Sequence, residues 1–239
     1  MNNQIIVKCY DMDNAEQINE QYILIKANKT KIQEIHTQCD LYAAEIGNLE
    51  QSKLNDFESK KLIETQIRRE ELESDMANLG KIYVYAISCI SRISIKIEQL
   101  KIPTFVNETN KFLEEGKSVV IFLKFVENIK ILANKLNTDC IIIGSQSRQN
   151  IKKAIDDFNS DKSRVIICSS TVANSGISLE DRNGNFPRNS IISPLSSDIR
   201  QILGRICRFV MKTPTVQHII FCANSEEKMC EEMKRKLQL

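Results

Sequence analysis

Five short strand-like runs, most of them mainly apolar, limit what this chain can fold into: Ser118–Leu123, Cys140–Ile143, Arg164–Cys168, Asn189–Ile192 and Val216–Cys222. Most are β-branched or aromatic nearly throughout. A strand with one wet face alternates polar and apolar residues, whereas a continuous apolar run belongs to a sheet covered on both faces. Amphipathic segments of helical length lie between and after the runs, at Val126–Leu136, Gln149–Phe158, Ile199–Cys207 and Ser225–Leu237. Strand and helix in series predict an α/β fold, a parallel sheet with helices on both faces, over 116–239. Ligands of such sheets sit beyond the carboxyl ends of the strands.

Residues 1–115 have another texture, and the expectation there is a mostly helical region. From Asp13 to Leu79 there is no proline and only Gly47. Ile35, Cys39, Tyr42, Ile46 and Leu49 recur at steps of four and three, which draws an apolar stripe down one helix. The phase slips near Ser52 to Phe57, predicting two long helices in an antiparallel hairpin, with one interrupted coiled coil as the alternative. Gly80 reads as a helix end. Residues 81–100 read as a separate buried helix, and Pro103 suits the first turn of a helix from Thr104 to Glu115, closed by Gly116.

Composition excludes several classes. The 239 residues carry a net charge of +2, so any basic surface must be local. The eight cysteines form no C-x-x-C pair, and only two histidines are present, which leaves little material for a zinc site. Cysteines inside apolar runs, such as Cys168, behave as small hydrophobes, and reduced thiols point to an intracellular compartment. No apolar run approaches the length of a membrane span.

Chemistry concentrates in two stretches. Gln201, Gly204, Arg205 and Arg208 are spaced three and four apart, which would place them on one helical face. Two arginines a turn apart make a fork for a polyanion, because guanidinium grips phosphate bidentately and keeps its charge. Ser169-Ser170-Thr171, leading through Asn174-Ser175 to Gly176, follows the third strand and can donate hydrogen bonds to phosphate. Gly116-Lys117-Ser118 is a decoy. A phosphate-binding loop needs another glycine five residues earlier, where Lys111 stands. No acidic metal motif is present either.

In order and spacing, these segments resemble the second RecA-like lobe of superfamily-two helicases and translocases. Val119–Phe122 is similar to motif four of that family, Ser169–Leu179 to motif five, and Gln201-x-x-Gly204-Arg205-x-x-Arg208 to motif six. The texture is nearest the Swi/Snf-like strawberry-notch and giant-virus group, through Gly176-Ile177-Ser178-Leu179-Glu180-Asp181, Gly184, Pro187-Arg188 and Ser193-Pro194. Ile97-Glu98 to Lys101 resembles the lead-in helix of that group. The resemblance implies a RecA-like sheet in which Arg205 and Arg208 face the γ-phosphate of ATP, Arg208 as arginine finger. It further implies that Gln201 orders water or phosphate and that Gly176 and Gly204 lie at the nucleotide. Lys124, Ser147, Arg148, Ser170 and Thr171 would contact the nucleic-acid backbone. ATP and its Mg²⁺ would be held by a first lobe that this sequence does not contain. Ser178 departs from the aspartate of many relatives. The implied setting is a host cytoplasm or nucleus, for a protein of viral type.

Two functions of different class follow. One is the motor half of an ATP-dependent helicase, inactive without its first lobe; the other is a non-catalytic adaptor for nucleic acid or protein. The pairing of Arg205 with Arg208 favours the first, since a lobe kept only for binding needs neither. An unrelated doubly wound enzyme would need paired carboxylates or a nucleophile with a histidine at strand ends, and no such set is present.

Overall fold

The computed structural model describes residues 3–10, 15–53, 59–173, 176–195, 199–208, 210–222 and 226–237. Most of the phase slip near Ser52–Phe57 and the Asn174-Ser175 pair lie outside the described residues. The chain divides into two compact units, Met1–Asn19 with Ser94–Leu239, and Glu20–Ile93.

The second unit is built from two long helices, α1 (Ala15–Lys53) and α2 (Ser59–Leu100), the latter continuing into the first unit. They run antiparallel as expected: Arg68 Nε meets Glu45 Oε1 at 2.9 Å, and the rings of His36 and Tyr83 pack edge-on at 5.1 Å. The ion pair is exposed and contributes little; Ile35, Leu72 and Ala86 are buried apolar residues of these helices. Gly80 does not end a helix. It is exposed, nothing approaches the position of a Cβ there, and α2 passes straight through, at a cost of about 1 kcal/mol against alanine. Nor is 81–100 a separate buried helix: Val84 and Tyr85 are 63% and 67% exposed.

In the first unit, six parallel strands form one sheet in the order β1-β6-β5-β2-β4-β3. The strands are β1 (Asn3–Tyr10), β2 (Ser118–Leu123), β3 (Ile141–Ile142), β4 (Val165–Ser169), β5 (Arg188–Ile192) and β6 (Thr215–Cys222). The helices are α3 (Ile102–Glu114), α4 (Val126–Leu136), α5 (Arg148–Asn159), the short α6 (Ser170–Ala173), α7 (Ile199–Leu203) and α8 (Glu227–Leu237). Along β2, Val120 and Phe122 face a core with α5, α7 and α8, while Val119, Ile121 and Leu123 face a second core with α3 and α4. Both faces are covered, as the unbroken apolar runs require. Pro103 sits in the first turn of α3. Gly116, at φ +77°, closes it with Gly116 N bonded to Leu113 O and Lys117 N to Phe112 O, so the Gly-Lys-Ser triplet is a helix end.

One strand was not anticipated. β1 comes from the first ten residues and pairs in parallel with β6 from Asn3↔Thr215 to Tyr10↔Cys222. A buried carboxylate anchors it: Glu108 Oε2 on α3 lies 2.7 Å from Lys8 Nζ and 2.9 Å from His218 Nδ1. Burial alone would raise the Glu108 pKa, but hydrogen bonds from Lys8, Tyr10 and Lys111 outweigh it and hold it at about 2. A carboxylate whose pKa drops on folding stabilises the fold above its unfolded value near 4.5, and that contribution disappears as pH falls towards 2. Glu108→Gln should therefore flatten the acid limb of stability against pH, followed by urea denaturation. An unchanged limb would show that Glu108 does not hold β1.

Candidate functional site

The turns after β2, β4 and β3, neighbours in the sheet, bring together the residues assigned to phosphate backbone contacts. Lys124 follows β2 directly and is exposed, with Nζ 5.5 Å above the Phe125 ring. Ser147 and Arg148 are exposed beyond β3; Ser147 caps α5, its hydroxyl accepting from Asn150 N at 3.2 Å. After β4, Thr171 is exposed and its hydroxyl lies 2.8 Å from that of Ser169. Ser170 differs from expectation. It is wholly buried where β4 turns into α6, so its hydroxyl is not presented to a ligand in this conformation.

The second cluster joins the segment after Gly176 to the segment after α7. Gly176 has φ +88° with open space around it, a backbone state that glycine adopts without strain. Leu179 N donates to Arg205 O at 3.0 Å, and Arg208 Nη2 donates to Ile177 O at 3.2 Å. Arg208 Nε also lies 3.9 Å from Glu180 Oε2, whose other oxygen takes Arg182 at 2.6 Å. The Glu180 side chain is fully buried while Arg208 is 37% exposed, so the guanidinium is oriented from behind and open in front.

This geometry corrects the single helical face. α7 ends at Leu203, and Arg205 N closes a tighter turn onto Ile202 O at 2.9 Å. Arg205 and Arg208 therefore lie in the turn and the irregular segment beyond the helix. The Arg205 carbonyl accepts from Leu179 N, so this segment bonds to the one after Gly176 and not within a continuing helix. Ile202, Leu203 and Ile206 are buried and anchor the segment; Gln201 and Gly204 are exposed, Arg205 and Arg208 half-buried. A Cβ at Gly204 would meet only ordinary contacts with Gln201 O and Arg200 O. Nothing in the packing of this chain demands glycine there.

Other motif positions frame the site. Asp181 accepts from Asn183 N at 3.1 Å, Gly184 N at 2.8 Å and Thr213 Oγ1 at 2.6 Å. Arg188, wholly buried, donates to Phe158 O at 3.0 Å and Asp161 Oδ1 at 2.8 Å, and stacks 4.1 Å from the Phe158 ring. Burial lowers its pKa, with Asp161, Asp181 and Glu180 pulling the other way. The role of Glu180 behind Arg208 was not legible in advance, because the pairing depends on the turn after Leu203. Among the described residues no three His, Cys, Asp or Glu side chains gather as metal ligands, and no helix is long and apolar enough to cross a membrane.

Comparison with known proteins gives the following. Residues 101–210 match the family described as Helicase conserved C-terminal domain. A protein of Acanthamoeba polyphaga mimivirus, named "Putative ATP-dependent RNA helicase L364", is 37% identical over 139 residues, 57% of this chain and 26% of that protein. The match thus spans about a quarter of the relative's length. Two solved structures share the fold. The C-terminal part of the Fun30 ATPase domain has a TM-score of 0.53 at 15% identity, covering 97% of this chain and 88% of that one. The Pyrococcus furiosus Hef helicase domain has 0.51 at 14%, covering 98% and 58%.

Proposed function

From the match of residues 101–210 to the helicase conserved C-terminal domain, we propose that this chain supplies the second motor lobe of an ATP-dependent nucleic-acid helicase or translocase. The lobe extends the 116–239 segment with β1 and with 94–115. One observation supports the reading most: Arg208 is hydrogen-bonded to Ile177 O and lies 3.9 Å from the buried Glu180 carboxylate, yet remains 37% exposed. A guanidinium braced from one side and open on the other suits a phosphate brought by a partner. In this reading Arg208 and Arg205 meet the γ-phosphate of ATP, Gln201 orders the water or phosphate, and Gly176 and Gly204 adjoin the nucleotide. The fit to an anion is good, but this chain offers no ligand set for Mg²⁺ among its described residues. The metal and most of the nucleotide belong to a first lobe. Lys124, Ser147, Arg148 and Thr171 track the nucleic-acid backbone, with Ser170 supporting them from beneath.

The test takes two steps. Alone, the chain should bind single-stranded nucleic acid weakly, without sequence preference and with steep salt dependence, as backbone contacts require. RNA is the first substrate to try, because the mimivirus relative is named for it. Alone it should hydrolyse no ATP; mixed with a complementary first lobe, Mg²⁺-dependent hydrolysis should appear. Binding that ignores salt, with no hydrolysis in any pairing, would favour the adaptor.

A further inference from the structure

Helix α4 begins without a capping side chain of its own, since Phe125 occupies the N-cap in an extended conformation. The amides there are taken from a distance. Glu98, in the last turn of α2, accepts from Lys124 N through Oε1 at 2.9 Å. Its Oε2 accepts from Phe125 N and from Asn128 Nδ2, both at 3.1 Å. Asn128 Nδ2 also donates to Ile95 O at 3.0 Å, which ties the same turn to the α2 backbone. Glu98 and Asn128 are both fully buried. A buried carboxylate is costly unless its oxygens are satisfied. Here three N–H groups and the positive end of α4 satisfy it.

The amide that Glu98 holds most closely belongs to Lys124, whose side chain is the exposed cation beyond β2. We propose that Glu98 is a positioning residue for nucleic-acid binding: its carboxylate locks the backbone of Lys124 and Phe125 so that the lysine points along the β2–β4–β3 edge. This rests on the reading of Lys124 as a backbone contact. Without the carboxylate, two amides lose their acceptor and the turn rotates, moving Lys124 off the edge.

A double-mutant cycle on the full chain tests this, with a labelled single-stranded oligouridylate as probe and the salt dependence of its affinity as readout. Lys124→Ala should remove one phosphate contact and lower the salt slope by about 0.7. Glu98→Gln keeps the shape but offers one oxygen to two amides, and it should weaken binding and lower the slope to the same extent. Glu98→Gln combined with Lys124→Ala should bind no worse than Lys124→Ala alone. Additive losses, or a normal slope in Glu98→Gln, would overturn the proposal while leaving Lys124 as a contact. No effect of Lys124→Ala would overturn the contact and the proposal together. If Glu98→Gln does not fold, Glu98→Asp replaces it under the same criteria, since the shorter carboxylate keeps its charge but cannot reach both amides.

Discussion

Arg208→Lys is expected to cut ATP hydrolysis by the reassembled pair of lobes about 10³–10⁵-fold, the range over which arginine fingers act. Phosphoryl transfer leaves the protein little covalent work, so charge placed at the γ-phosphate sets the rate. Arg208 donates one Nη to Ile177 O and has its Nε 3.9 Å from buried Glu180 Oε2, so one hydrogen bond and a nearby carboxylate charge orient the guanidinium before any phosphate arrives. Lysine keeps the charge but has one nitrogen and no plane, so it cannot hold the Ile177 carbonyl and grip phosphate in the same geometry. Arg205→Ala should also lose activity, since the proposed reading places its guanidinium, with that of Arg208, at the γ-phosphate. Affinity for oligouridylate should survive Arg208→Lys, because the proposed backbone contacts use other residues. Steady-state hydrolysis with saturating nucleic acid reads the first effect and oligonucleotide titration the second. Wild-type turnover by Arg208→Lys would mean that Arg208 only braces the loop.

The largest expected effect on stability is at Lys101. Its Nζ lies 2.9 Å and 2.8 Å from the two oxygens of Glu226, with the side chains 0% and 2% exposed. Glu226 also accepts from Cys222 N at 2.7 Å, so the pair joins the start of α3 to the β6–α8 connection. A buried pair of this kind adds little over a well-packed apolar pair, yet breaking it strands a charge without water. Lys101→Met should therefore cost about 3–5 kcal/mol, measured by urea denaturation. Adding Glu226→Gln should recover most of that, since the amide oxygen still serves Cys222 N while the stranded charge is gone. If Lys101→Met alone stays within about 1 kcal/mol of wild type, the carboxylate is solvated or neutral and the pair is not what joins these elements.

What the residues alone determined is local. The mainly apolar runs at 118–123, 164–168 and 216–222 read as strands buried on both faces, and the helices between them point to a parallel arrangement. Pro103 and Gly116 delimit α3 by their own backbone preferences, and the motif order marked 176–208 as the place where an anion is met. The tertiary structure decided whatever depends on a partner far away in the chain. β1 is a strand because β6 supplies hydrogen bonds and Glu108 a counter-charge, neither visible within eight residues. Gly80, which by propensity could end a helix, stays inside one because nothing in the fold calls for a turn there. Arg205 and Arg208, evenly spaced for a helix, lie beyond its end, where the Arg205 carbonyl accepts from Leu179 N in a distant segment. Glu98 and Glu180 stand in the sequence only as members of motif-like segments; packing buries them, with Glu226, and gives each its partners. Spacing reports the bonds a segment makes with itself; a buried polar group must be satisfied wherever a partner lies, and only the folded chain determines where that is.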